Sequence, residues 1–322
     1  MYAADLLRAG GVIAFPTETV YGLGADAEND EAVRQIFSIK GRPVDHPLIV
    51  HLADVSLIDR WARAVPDRVM RLAECFWPGP LTLVLQRSSR VSDLVTGGLD
   101  TVGIRVPAHP VAQALLREFG GGIAAPSANR FGRISPTRAE HVQEELGSSP
   151  DLILDGGNCQ VGIESTILSL AGERPILLRP GGISIAELEE VLGEEVMLLK
   201  QADPAQRSPG SHASHYAPQT PAFVVSMDEL PALVRCQVKA GYNVAMLCFT
   251  ETASEACSSL GCVLMPKDPD NYARVIYTIL RLLDAADYDA ILIEALPKTE
   301  PWRAVRDRVQ RAAQLYEKRK TT

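Results

Sequence analysis

With 322 residues, 46% of them hydrophobic, and a mean hydropathy of +0.02, the chain has the composition of an ordinary soluble protein, long for one domain and comfortable for two. A net charge of −8 excludes a surface that grips nucleic acid over its whole extent, which needs clustered Lys and Arg, but leaves room for a local basic cavity. No segment reaches transmembrane length. The six cysteines form no C-x-x-C pair and the six histidines no H-E-x-x-H, so reduced buried thiols are expected and no zinc site.

Residues 1–10 read as an amphipathic helix charged at Asp5 and Arg8, not as a signal peptide, which makes a cytoplasmic enzyme the default expectation. The apolar run 12–15 reads as a buried strand that stops at Pro16. It opens into Thr17-Glu18-Thr19-Val20-Tyr21-Gly22-Leu23-Gly24, a stretch with two hydroxyls, a carboxylate, a phenol and two glycines. Loops at the carboxyl ends of strands are where α/β sheets hold ligands. The alternative is a structural turn in which Gly22 and Gly24 supply positive φ and the threonines cap a helix.

Further strands are expected at 48–52, 81–85, 102–106, 123–125, 152–154, 166–170 and 175–178, with helices at 31–40, 66–75, 110–119, 137–146 and 184–192. Asn29 or Asp30 can cap the first helix, Pro66 opens the second, and Thr137 with Glu140 offers a capping box to the fourth. The spacing predicts a mixed α/β sheet with several hairpins, not a plain parallel order. Residues 201–220 are polar and rich in proline and serine, and read as a linker. Beyond it, strands at 222–225, 243–249 and 290–294 and helices at 228–239, 269–286 and 302–313 predict a second, smaller α/β domain.

Polar and cationic residues recur where strands meet loops. Lys40-Gly41-Arg42-Pro43 sets two cations one residue apart, placed either to converge on a phosphate chain or to end a solvated helix. Asp45-His46-Pro47 leads into the next strand, and Ala125-Pro126-Ser127-Ala128-Asn129 follows a later one. Asp155-Gly156-Gly157 and Glu164-Ser165-Thr166 flank a strand start, and Leu178-Arg179-Pro180-Gly181-Gly182 closes another. Arg105, Arg130 and Arg133 add dispersed cations. No G-x-x-x-x-G-K-[ST] is present, so a nucleotide here needs a cradle of loops, hydroxyls and scattered cations.

These segments, with Pro47-Leu48-Ile49-Val50-His51, Trp77-Pro78-Gly79-Pro80-Leu81-Thr82 and Gly103-Ile104-Arg105-Val106-Pro107, resemble the YrdC-like family of L-threonylcarbamoyladenylate synthases. Ser208-Pro209-Gly210 and His215-Tyr216-Ala217-Pro218 resemble the linker of its long, two-domain form. The resemblance implies a YrdC-like mixed twisted sheet with flanking helices over 1–200, a linker or lid over 201–220, and a Rossmann-like α/β domain over 221–322. It departs at Glu300-Pro301-Trp302-Arg303-Ala304-Val305, where the long form carries glycines.

The resemblance also implies the chemistry: L-threonine, bicarbonate or CO₂, and ATP with Mg²⁺ condense to threonylcarbamoyl-AMP and pyrophosphate, and a partner complex passes the group to tRNA. Lys40 and Arg42 are the implied catalytic cations on the phosphates. Ser127, Asn129, His46, Thr101, Ser135, Arg179 and Tyr216 complete the implied ATP set, with Tyr216 on a lid. Thr17, His51, Arg105, Ser165 and the Ala125 backbone are implied to hold threonine, Arg105 through its carboxylate. The metal is implied to ride on the phosphates, without protein side-chain ligands. An RNA-binding module and a related carbamoyl-transfer enzyme are the competing readings. The low charge disfavours the first, and the absence of zinc-finger cysteines the second.

Overall fold

Apolar runs bounded by proline, glycine and polar turns give most of the strands of the computed structural model, which describes residues 1–199, 216–250 and 261–316. The chain divides into two units, Met1–Phe131 with Ser135–Ser211, and Gly132–Ile134 with His212–Thr322. In the first, a 10-stranded sheet comprises β1 (Ile13–Phe15), β2 (Gly22–Asp26), β3 (Ile49–His51), β4 (Leu81–Gln86), β5 (Thr101–Arg105), β6 (Ile123–Ala124), β7 (Leu152–Ile153), β8 (Thr166–Ser169), β9 (Ile176–Arg179) and β10 (Met197–Leu198). Their order is β10-β9-β8-β4-β5-β3-β6-β2-β1-β7. The pairs β1–β2, β2–β6, β3–β6, β4–β5 and β8–β9 are antiparallel, whereas β1–β7, β3–β5, β4–β8 and β9–β10 are parallel. The mixed sheet is as the spacing predicts.

β2 was not expected, because two glycines in five residues argue against a strand. Pairing decides otherwise: Ile13 faces Gly24 and Phe15 faces Gly22 in an antiparallel ladder. Neither glycine has a positive φ, so the turn reading of Gly22 and Gly24 fails. Their role is close approach. A Cβ on Gly24 would stand 2.7 Å from Ile123 Cγ2 and 2.7 Å from Phe15 Cε1, so only glycine lets the three strands pack there.

Asn29 caps the helix Asp30–Lys40 by accepting from the N–H groups of Glu31 and Ala32, and Gly41 (φ 61°) ends it. This local geometry delivers Lys40 and Arg42 to the sheet. The expected box at Thr137 and Glu140 does not form. That helix, Ala139–Leu146, starts one residue late with Arg138 at its cap position, so Glu140 falls a residue short of the reciprocal bond. Ser184 and Glu187 form such a box instead, at the helix Ile185–Leu192. The core beneath the sheet is continuous and apolar, with Val50, Leu83, Ile104 and Ala124 fully buried in its central strands.

The second unit is a parallel five-stranded sheet of β11 (Ala222–Val225), β12 (Val244–Cys248), β13 (Gly261–Leu264), β14 (Ala290–Glu294) and β15 (Gln314–Leu315), ordered β13-β12-β14-β11-β15. β13 and β15 are additions to the expected set, both partly or wholly exposed; β15 is only two residues long. Glu294 ends β14 buried, accepting from the N–H groups of Phe249 and Thr250 and from the Thr250 hydroxyl. Trp302, at the departure from the family pattern, packs against Phe249 (5.6 Å) and Tyr272 (5.5 Å). Arg133 pairs with Asp284 in this unit, 3.0 Å apart. Residues 201–215 of the expected linker lie outside the described residues. No helix among the described residues is long and apolar enough to cross a membrane.

Candidate active site

Pro16 ends β1, and Thr17 then knots the loop. Its hydroxyl donates to Val20 O (2.6 Å) and accepts from the N–H groups of Thr19 and Val20 (3.2 Å each), replacing backbone partners within the turn. Thr19 Oγ1 lies 2.8 Å from Thr17 Oγ1. Tyr21, which packs with its ring fully buried, donates to Gly157 O (2.8 Å) and accepts from Gly156 N (3.1 Å), tying this loop to the 155–157 turn.

Arg105 closes β5 and reaches back to the same loop. Its Nε donates to Gly79 O (3.3 Å) and its Nη1 to Thr19 Oγ1 (2.9 Å). Nη2 lies 2.7 Å from Glu18 Oε1, with only 4% and 7% of the two side chains exposed. This contact is ionic without hydrogen-bond alignment, since neither atom has a hydrogen-bond partner among the described residues. The other Glu18 oxygen takes the N–H of Ala108 (3.0 Å). The guanidinium is therefore held and charge-balanced, with Nη2 beside the Glu18 carboxylate and in no aligned hydrogen bond among the described residues.

His51 ends β3, in register with Arg105 on one side and Ile123 on the other. Its ring meets Phe15 edge-on at 6.0 Å. Burial first, and then the Arg105 charge, push its pKa down to about 3. It stays neutral beside the guanidinium. Ser165, just before β8, sits 2.8 Å from Thr82 Oγ1 and accepts from Arg179 Nη2 (3.1 Å), while Arg179 Nε holds its carbonyl (3.0 Å). Ala125 follows β6 and donates its N–H to Ile49 O (2.9 Å). Of the residues expected to hold threonine, His51, Arg105 and Ala125 lie at the carboxyl ends of β3, β5 and β6, Thr17 follows β1, and Ser165 precedes β8.

Lys40 is 3% exposed and donates to the carbonyls of Ser127 (2.5 Å) and Asn129, which ties the helix end to the 125–129 loop. Burial, and then the Arg42 charge, hold its pKa well below the ordinary lysine value. Arg42 Nη2 donates to Pro47 O (3.0 Å), and His46 packs its ring against Phe131 (5.2 Å). Ser135 donates to Glu164 Oε1 (2.6 Å). Thr101 begins β5, four residues before Arg105 and so roughly 13 Å from it along the strand. Tyr216 belongs to the second unit, where its ring faces Tyr277 (5.8 Å) and the Arg308 guanidinium (5.3 Å).

Glu18, Thr19, Thr82 and Glu164 are in none of the sets expected from sequence, although each lies inside a quoted motif. Their partners are between 29 and 90 residues away in the chain, which no local pattern reveals. Cys159 is buried nearby, and burial raises its thiol pKa, aided by the Glu18 charge, so it is a neutral packing group.

The neutral His51 has a consequence for acid stability. Unfolded, the imidazole titrates near 6.5; folded, near 3. Below pH 6.5 the unfolded chain binds a proton that the folded one refuses, so stability falls with falling pH, by up to about 1.4 kcal/mol per unit. Urea unfolding at about pH 7.5 and about pH 5 should show the wild type losing roughly 2 kcal/mol more than His51→Gln. Equal losses would assign the acid sensitivity to other groups.

Two family models match the chain: residues 5–181 fit one described as telomere recombination, which covers Sua5, YciO and YrdC sequences, and residues 183–314 fit one described as threonylcarbamoyl-AMP synthase, C-terminal domain. The threonylcarbamoyl-AMP synthase of Bacillus subtilis is 42% identical over 320 residues, covering 97% of this chain and 92% of the relative. That of Pyrococcus abyssi is 39% identical over 321 residues, covering 97% and 93%. The crystal structure of P. abyssi Sua5 complexed with L-threonine superposes with a TM-score of 0.90 at 37% identity, covering 97% of this chain and 93% of that one.

Proposed function

Because this chain belongs to the threonylcarbamoyl-AMP synthase family, we propose that its first unit joins L-threonine to AMP through a carboxyl carbon drawn from bicarbonate or CO₂. The chain is an enzyme of nucleotidyl transfer, with L-threonine and ATP as substrates. The observation that carries the threonine side is the Arg105 guanidinium, buried, held at Nε and Nη1, charge-balanced by Glu18, and with Nη2 in no aligned hydrogen bond among the described residues. A planar fork of that kind pairs with both oxygens of a carboxylate. His51, neutral beside it, adds a polar ring nitrogen without adding charge.

The reaction then needs threonine's amine in its neutral form. Its nitrogen attacks the carbon of CO₂, which bicarbonate supplies by losing its hydroxyl as water after taking up a proton. One C=O π pair moves onto oxygen, and an N–H proton passes to solvent, leaving an N-carboxylate. An oxygen of that carboxylate attacks the α-phosphorus of MgATP, the bond to the β-phosphate breaks, and pyrophosphate leaves. Anions converge in this step, and Lys40, Arg42 and Arg179 offset their repulsion. The metal enters with the substrate phosphates, and no cluster of three or more His, Cys, Asp or Glu that could hold an ion of its own occurs among the described residues. His46, Ser127, Asn129 and Ser135 complete the phosphate and nucleoside side, with Thr101 at the far end of β5. Downstream, a transfer complex consumes the product for tRNA modification.

The test is pyrophosphate release by the pure protein from ATP, bicarbonate and Mg²⁺, with and without L-threonine. Threonine-dependent release, and release that falls when bicarbonate is stripped, are the expected results. Folded protein that releases pyrophosphate without regard to threonine would overturn the reading.

A further inference from the structure

The hydroxyl protons in the Thr17 loop can be assigned one by one. Thr17 has a single hydroxyl proton, and its short contact to Val20 O uses it, since a carbonyl only accepts. The 2.8 Å contact between the two threonine hydroxyls must therefore be donated by Thr19. Thr19 in turn accepts from Arg105 Nη1 at 2.9 Å. The bonds run one way: Arg105 Nη1–H to Thr19 Oγ1, Thr19 Oγ1–H to Thr17 Oγ1, Thr17 Oγ1–H to Val20 O. All three side chains are at most 4% exposed.

We propose that Thr19 is a positioning residue for the synthase reaction, setting the guanidinium plane of Arg105 so that its open edge meets the carboxylate of the amino-acid substrate. This rests on the reading of Arg105 as the carboxylate site. Three contacts could set that plane, and they differ in kind. Gly79 O fixes Nε, the pivot of the group, at 3.3 Å. Glu18 balances charge without hydrogen-bond alignment, so it constrains direction weakly. Thr19 alone makes an aligned bond to a terminal nitrogen, and it is itself held by a saturated partner. Rotation about Nε therefore breaks the Thr19 bond first. The relay also joins the substrate fork to the Thr17 turn, so the shape of the loop and the direction of the fork are set together.

The variants are Thr19→Val, which keeps the shape and removes the hydroxyl, and Thr19→Ser, which keeps the hydroxyl. Thr19→Val should raise the KM for L-threonine by roughly tenfold, with kcat at saturating threonine within about threefold and the KM for ATP unchanged. Thr19→Ser should restore the wild-type KM. L-Threoninol, which lacks the carboxylate, should inhibit the wild type and Thr19→Val with the same constant. An unchanged threonine KM in Thr19→Val would overturn the proposal, as would an equal loss for threoninol, which marks a general disturbance of the pocket. If the wild type takes threoninol as tightly as threonine, the Arg105 reading itself fails. Should Thr19→Val not fold, Thr19→Ser against Thr19→Ala gives the same comparison, with ATP binding as the control for folding.

Discussion

Replacing Lys40 by alanine is expected to cut threonine-dependent pyrophosphate release by roughly a hundred- to a thousandfold, the scale of losing one preorganised charge at a reacting centre. Lys40 has two tasks that a single side chain must serve together. Its ammonium is pulled out of water, where burial and Arg42 both disfavour the charge, and the carbonyls of Ser127 and Asn129 accept from it in compensation. This fixes the 125–129 loop against the end of the helix Asp30–Lys40. An incoming phosphate chain adds negative charge beside Lys40 and Arg42, beyond that of Glu145, so charge stabilisation grows as the pentavalent phosphorus forms. Lys40→Met keeps the packing of the stem and loses the charge, and should be as inactive as Lys40→Ala. Steady-state pyrophosphate release on both variants checks this. Retention of activity within a few-fold in either would remove Lys40 from the phosphate site.

Glu18→Ala is expected to be the most destabilising single change at the site. It strands the Arg105 cation at 4% exposure, and breaking one side of a buried pair costs about 3–5 kcal/mol. For a unit of this size each kcal/mol lowers the melting temperature by about 2–4 °C, so a fall on the order of 10 °C should be visible by calorimetry. Replacing both partners, as Glu18→Met with Arg105→Met, removes the stranded charge and should recover most of that stability while leaving the protein unable to use threonine. A Glu18→Ala melting temperature equal to wild type would show that the pair is solvated. A double variant no more stable than Glu18→Ala would show that packing, not charge, is what Glu18 supplies.

The site was legible in its parts. Thr17, His51, Arg105 and Arg179 stand where strands end, Lys40 where a helix ends and Ser165 where a strand begins, and the motif order names the family whose models and relatives cover the chain. Thr19 and Glu18 were passed over although they are neighbours of Thr17. A hydroxyl and a carboxylate in a loop look alike whether they face solvent, backbone or a cation. Only the arrival of Arg105 from β5, 86 residues on from Thr19, gives them work.

Local chemistry, then, was readable in the sequence itself: a cap at Asn29 or Asp30, the alternation of strands and helices, and the residue types that an anionic reaction needs. These depend on near neighbours along the chain, which a sequence displays. The tertiary structure alone made Gly22–Asp26 a strand, moved the capping box from Thr137 to Ser184, set Thr101 at the other end of β5 from Arg105, and gave the Thr17 loop its one-way chain of bonds. The strand depends on backbone pairing and the chain of bonds on Arg105 arriving from a distant segment, whereas the capping box is a local contact whose place the packed helix start decides. Such contacts override weak local propensity, because a buried polar group must find its partner wherever the fold provides one.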